Sequence, residues 1–266
     1  MYRYFRNAFY FLKGFDADRF SAPVYRIKNS DDLIRLQEVS EQKKVNFIIP
    51  IEKCIWGAGF RYTVNTHPFA KAMQSSAPFD VLKSFYNNYT PDNIFELFMT
   101  ENSNKMQANK NLVMPWLNSP STTNKTGEGG IPVEEGVQHY GPCTDRKVSF
   151  EANRCKIIFK KIKQEGFWPQ RYAGYPRGYF LVSGNNFLFQ ITGSGQHRTA
   201  ALAVLGWEQI QCTSWNQPIR IVNKEDAENW PGVRDKRLSK KNALELFERN
   251  FSDDLRNHHS ELLKTL

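Results

Sequence analysis

The segment of this chain best equipped for chemistry is Gly193-Ser194-Gly195-Gln196-His197-Arg198. An apolar run, Phe187 to Ile191, stops at two closely spaced glycines. A basic pair follows, and the helix formers Ala200-Ala201-Leu202-Ala203-Val204-Leu205 then run to Gly206. The order reads as strand, tight turn, helix. Such a turn aims free backbone N–H groups and the positive end of a helix dipole at one point, where phosphate is the usual occupant. Glycine lets the backbone approach a ligand closely, and His197 and Arg198 in the first helical turn would add donors and charge. The alternative is an ordinary strand-to-helix turn carrying one surface arginine.

A second polar concentration, Gln138-His139-Tyr140-Gly141-Pro142-Cys143-Thr144-Asp145-Arg146-Lys147, precedes a long helical pattern. Glu151 and Arg154 are three residues apart and share a helix face. An N-capping loop followed by an exposed ion pair would account for the same residues. In the N-terminal half, Glu52, Arg61, His67 and the aromatic set Trp56, Phe60 and Tyr62 could line an acceptor pocket or simply belong to the core. No helix-forming run follows the glycine pair in Trp56-Gly57-Ala58-Gly59-Phe60, so it lacks the context of a phosphate loop.

The elements that must position these groups can be read from periodicity. Asp31 to Glu41 reads as a short helix, and Val45 to Ile51 as a buried strand edged by Pro50. Pro68 to Ser84 and Pro91 to Met99 read as helices, the second with proline in its first turn. Asn102 to Gly130 reads as a loop, a lid or a disordered stretch. Ser149 to Glu165 carries Phe150, Cys155, Ile158, Phe159 and Ile162 at helical spacing and closes on Gly166. Tyr179–Val182 and Phe187–Ile191 form a hairpin about a Gly-Asn turn, and a last strand follows near Ile210 to Thr213. The tail from Lys224 reads as two or three helices, with Ser239 capping one. The expected divisions are an N-terminal α/β subdomain (1–101), a flexible loop (102–130), a core that carries the Gly-box (131–223) and a helical tail (224–266).

With 266 residues, 40% hydrophobic content and a net charge of +9, the chain can bury a core and suits a polyanionic partner. Its basic clusters, Lys160 to Lys163 and Arg234 to Lys241, are short and interleaved with apolar residues, as on a solvated helix face. Cys54, Cys143, Cys155 and Cys212 form no CxxC pair and no ligand spacing with the five histidines, which argues against structural zinc, and the spacing itself marks no metal site. Reduced thiols, with no apolar stretch long enough for a signal peptide or membrane span, predict a cytoplasmic protein. Loose contact of the Met1–Phe15 segment with a membrane surface is the alternative to packing on the body of the protein.

The Gly-Ser-Gly-Gln-His-Arg box resembles that of the ParB/sulfiredoxin superfamily. A helix ending like Ile162-Lys163-Gln164-Glu165-Gly166 precedes a hairpin, which delivers the box to an alanine-rich helix ending Leu205-Gly206. The resemblance covers about Tyr140 to Cys212. It implies an α/β (α+β) fold with a small mixed sheet of that type, elaborated by an N-terminal subdomain and C-terminal helices. It also implies a nucleoside triphosphate, ATP or another, at the helix start. The sulfiredoxin reaction needs a cysteine where this chain has Gln196, so that chemistry is excluded. The arginines of the DNA-clamp branch are replaced by Gly195 and Gln196. Ser194 stands where the small-molecule kinases carry an acid.

Kinase chemistry needs cationic clamps, usually Mg²⁺, and a group that deprotonates the acceptor. The resemblance places the Gln138–Lys147 segment across the nucleotide site. It assigns Glu151 or Asp145 as base or metal ligand and His197 as a catalytic clamp. Nucleotide contacts would come from Gly193, Ser194, Gly195, Gln196, His197, Arg198, Thr199, Lys147, Arg154 and His139. The implied function is an ATP-dependent phosphotransferase acting on a small hydroxylated or glycan-linked acceptor. A general likeness to proteins carrying the same box implies surface-polysaccharide biosynthesis. The alternative is a non-catalytic nucleotide-responsive or nucleic-acid-binding module.

Overall fold

The computed structural model describes residues 24–100, 112–118, 128–169, 174–192, 194–214 and 216–266. Eight strands form one mixed sheet. From the N-terminal part come β1 (Val24–Arg26), β2 (Asn46–Pro50), β3 (Cys54–Trp56) and β4 (Phe60–Arg61). From the later part come β5 (Arg177–Ser183), β6 (Asn186–Ile191), β7 (Gln209–Ser214) and β8 (Ile221–Asn223). The order is β1-β2-β7-β5-β6-β3-β4, with β8 paired to β5. The expected α/β class holds, but the sheet is larger than the small one expected.

The later strands occupy the middle of the sheet, between the early pairs β1-β2 and β3-β4. β2 lies antiparallel to β7, with Phe47 opposite Cys212, and β3 lies parallel to β6, with Trp56 opposite Ile191. The division expected near residue 101 therefore does not coincide with a break in the sheet. Continuous apolar runs such as Tyr179-Phe180-Leu181-Val182 are buried along their length, as strands covered on both faces must be. Phe47, Phe180 and Phe189 meet at ring distances of 4.9–5.3 Å at its centre. Gly184, at φ +55°, opens the two-residue turn joining β5 to β6. Such turns place glycine there because the strand twist calls for positive φ.

The helices are α1 (Asp31–Gln42), α2 (Pro68–Gln74), α3 (Pro78–Asn88), α4 (Ile94–Leu97), α5 (Asp145–Glu165), α6 (Gln196–Val204), α7 (Pro231–Arg234), α8 (Lys240–Arg249) and α9 (Asp253–Lys264). Two expectations are corrected. The single helix expected over Pro68–Ser84 is two, because the backbone is extended at Ser75 and Pro78 then opens a second helix. The helix expected from Pro91 begins only at Ile94, where the Asn93 side chain accepts from the N–H groups of Phe95 and Glu96.

Within the expected loop, residues 112–118 are packed. Trp116 is 1% exposed, donates through Nε1 to the Tyr179 hydroxyl (2.9 Å) and meets Trp230 and Phe247 edge-on. The Pro115 carbonyl accepts from Gly232 N–H at 2.7 Å. This stretch joins the tail helices to the sheet instead of separating two regions. The remainder, 101–111 and 119–127, lies outside the described residues, as do Met1–Phe15 and Gly193. No helix among the described residues is long and apolar enough to cross a membrane.

Candidate functional site

Helices α2, α3, α5 and α6 pack together on the sheet, and the polar residues singled out by sequence meet between them. The hydroxyl of Thr144 accepts from Lys147 N–H and starts α5 four residues earlier than expected. The longer first turn places Lys147 and Glu151 on one inward face. Lys147 Nζ lies 2.6 Å from Glu151 Oε1, with both side chains almost completely buried. Across the helix interface His197 Nε2 lies 2.8 Å from Glu151 Oε2. Gln138 Nε2 donates to the same oxygen at 3.3 Å, and Arg154 stands 3.9 Å away.

Gln138 is held in place from α3, because Tyr86 donates its hydroxyl proton to the Gln138 carbonyl at 3.0 Å. His197 is fixed from the other side by Phe69, stacked on its ring at 4.2 Å and 15°. Phe69 in turn depends on His67, which caps α2 by accepting from the Phe69 N–H. Burial is the largest influence on Glu151 and pushes its pKa up, but His197 and Lys147 outweigh it and hold it at about 2. Glu151 is thus a permanently ionised carboxylate with its oxygens occupied.

That arrangement places the expected site residues in different settings. A carboxylate ionised down to about 2 and gripped by an ammonium, an imidazole and an amide is a poor proton acceptor near neutral pH. Lys147 is spent on Glu151 and is not a free phosphate clamp. Asp145 points outward, 73% exposed, to a bridge with Lys83 at 2.6 Å. Thr199 is fully buried, and its hydroxyl donates to the Gly195 carbonyl at 3.0 Å. His139 packs on Trp56 at 4.9 Å, and burial holds its pKa at about 4.

The start of α6 keeps its cationic character. Gly195, at φ +112°, is its N-cap, and Gln196 and His197 are buried beneath it. Arg198 is 8% exposed; it donates to the Ser194 hydroxyl at 2.9 Å and to the Gly174 carbonyl, both neutral acceptors. Burial, aided by the charges of Arg154 and Arg177, lowers its pKa to about 10. Two further guanidinium groups thus lie within electrostatic reach of Arg198. Arg177 and Phe69 were not anticipated. Arg177 opens an otherwise apolar strand, which is a usable signal, whereas nothing in the local pattern marks Phe69.

Among the described residues no three His, Cys, Asp or Glu side chains gather as a metal cage. With the Glu151 oxygens already bonded, these residues do not fit a protein-held Mg²⁺. Of the expected acceptor set, Glu52, Arg61 and Tyr62 line a separate cleft, while His67, Trp56 and Phe60 lie in the core. No family model, no curated protein and no solved structure matches the chain.

Proposed function

We propose that this chain binds a nucleotide through its phosphates at the opening turn of α6. The observation that carries the reading is Arg198, a nearly buried guanidinium whose acceptors among the described residues are all neutral and which lies within electrostatic reach of Arg154 and Arg177. A buried charge of this kind is costly unless an opposite charge joins it, and a phosphate oxyanion supplies one. An incoming phosphate replaces the Gly174 carbonyl and the Ser194 hydroxyl as acceptor. The resemblance to the ParB/sulfiredoxin superfamily in the Gly-box supports a nucleoside triphosphate there.

Phosphoryl transfer to a small hydroxylated or glycan-linked acceptor is the chemistry favoured by the Glu151–His197 pair. A carboxylate that orients an imidazole is an arrangement suited to taking a proton. In that reaction His197 takes the acceptor's hydroxyl proton, the acceptor oxygen bonds to the terminal phosphorus, the bond from that phosphorus to the bridging oxygen breaks, and the nucleoside diphosphate leaves with the bridging oxygen. No step is assigned to Mg²⁺.

Calorimetric titration with ATP and CTP tests the binding site. Arg198→Ala should weaken binding by about tenfold or more, because a charge-assisted bidentate contact contributes roughly 1.5–3 kcal/mol. Equal affinity in wild type and variant would overturn the assignment. Acceptor-dependent release of ADP, lost in His197→Gln but not in the binding assay, tests the transfer step.

A further inference from the structure

The cleft that takes Glu52, Arg61 and Tyr62 away from the α6 corner has about 310 Å³ of free volume, near the lower end of ligand-sized pockets. It opens beside β4, the terminal strand of the sheet, and is closed by Phe251 and Arg256 from the α8–α9 region. Asn186 lines it at one end of β6, whereas the Gly-box follows the other end. Five residues at about 3.4 Å each separate these ends by roughly 17 Å. That is too far for groups bound at the two places to react directly.

Its charge is net positive: Lys53, Arg61 and Arg256 are offset in part by the carboxylates of Glu52 and Asp253, both felt by Arg61. Lys53 Nζ donates to the Asn186 amide oxygen at 3.0 Å. Arg61 donates to the carbonyls of Glu52 (3.2 Å) and Asn250 (3.0 Å), and its Nε is buried without a hydrogen-bond partner. Neither cation has a carboxylate within ion-pair distance among the described residues. Arg256, the third cation, pairs with Asp253 on its own helix, and the carboxylate of Glu52 stands at the exposed rim. Leu188 and Phe251 supply apolar wall. Arg61, with its Nε buried and only carbonyl acceptors at hydrogen-bond distance among the described residues, gains from an anion that enters beside it.

We infer that this cleft is a second binding site, for a small organic oxyanion (a phosphate monoester or a carboxylate) seated between Lys53, Arg61 and Arg256. The guanidinium forks match either anion in bidentate fashion, and the neighbouring walls accommodate a carbon skeleton. The inference does not rest on nucleotide binding at α6.

The test is calorimetric titration of the full chain at low salt with glucose 6-phosphate, glucuronate and neutral glucose. The wild type, Lys53→Gln/Arg256→Gln and Arg198→Ala proteins are compared. At least one of the two anions should bind the wild type and glucose should not. The double variant should lose at least tenfold in affinity, while Arg198→Ala keeps it. Binding of neither anion, equal affinity in the double variant, or loss confined to Arg198→Ala would overturn the cleft. ATP binding unaffected by Arg198→Ala would overturn the α6 reading and leave the cleft standing.

Discussion

Glu151 and His197 meet at 2.8 Å across the α5–α6 interface, and both side chains are almost completely shielded from solvent. The contact ties the long helix to the helix that the Gly-box opens. Together with Lys147 it forms an ionic group whose members have no water to fall back on. Breaking one buried ion-pair partner is strongly destabilising because it strands the others.

Glu151→Ala should therefore lower unfolding free energy by about 3–5 kcal/mol, with Glu151→Gln costing less because an amide still accepts one bond. Urea titration reads the effect as a fall in midpoint at constant slope. A change below about 1 kcal/mol would show the group to be dispensable.

Acid should destabilise the fold from about pH 6.5 downward. Burial keeps His67 well below the ordinary histidine range, His139 at about 4 and His259 at about 3. His259 stacks on Phe60 at 3.6 Å with neither ring nitrogen hydrogen-bonded. Since these histidines stay neutral in the fold, the unfolded chain binds more protons once pH drops below its own histidine pKa near 6.5. Stability is full above that value and declines as pH falls toward 4 and then 3. Glu151, held at about 2 in the fold against about 4.5 for a free carboxyl, adds its own loss only below about pH 4.5. Urea midpoints measured from pH 8 to pH 4.5 should show the decline, and His259→Leu should make it shallower. Identical pH profiles for variant and wild type would contradict the account.

Gly195→Ala should damage the opening of α6 specifically. A Cβ there would stand 2.5 Å from the Pro176 Cβ, on a backbone at φ +112° that side chains avoid. A loss of about 1–3 kcal/mol in unfolding free energy is expected, with weakened ATP binding at temperatures where the variant remains folded. Retention of both properties would mean the turn has room to spare.

Trp116→Ala removes the aromatic anchor of residues 112–118. A loss of about 3–5 kcal/mol is expected from the vacated volume and from leaving the Tyr179 hydroxyl without its donor. Residues 112–118 should also become more readily cleaved in limited proteolysis. Unchanged cleavage would place the anchoring elsewhere.

Local chemistry was legible where one segment contains its own signal. The hairpin, the box, the α6 helix and the Ser239 cap followed from turn residues, capping oxygens and apolar spacing. Glu151 was legible too, since Lys147 and Arg154 flank it at four and three residues, but its burial was not. Whether such a triplet is a solvated ion pair or a buried cluster depends on what covers it, and the cover comes from Phe69, His197 and Gln138. The pairing of β3 with β6 joins residues more than a hundred positions apart, so no local pattern announces it. Trp116 was hidden because its polar surroundings in sequence resemble a linker, while its partners Tyr179, Trp230 and Phe247 lie far downstream.

The seating of the late strands between two early pairs has a practical consequence for anyone dissecting the protein. A fragment spanning 131–223 keeps the hairpin and the box but strips β2 from β7 and β3 from β6. Two rows of main-chain donors and acceptors are then left bare, and such edges recruit other copies of themselves. Recombinant work, and any natural shuffling of the box into other proteins, must carry the two halves as a single inheritance.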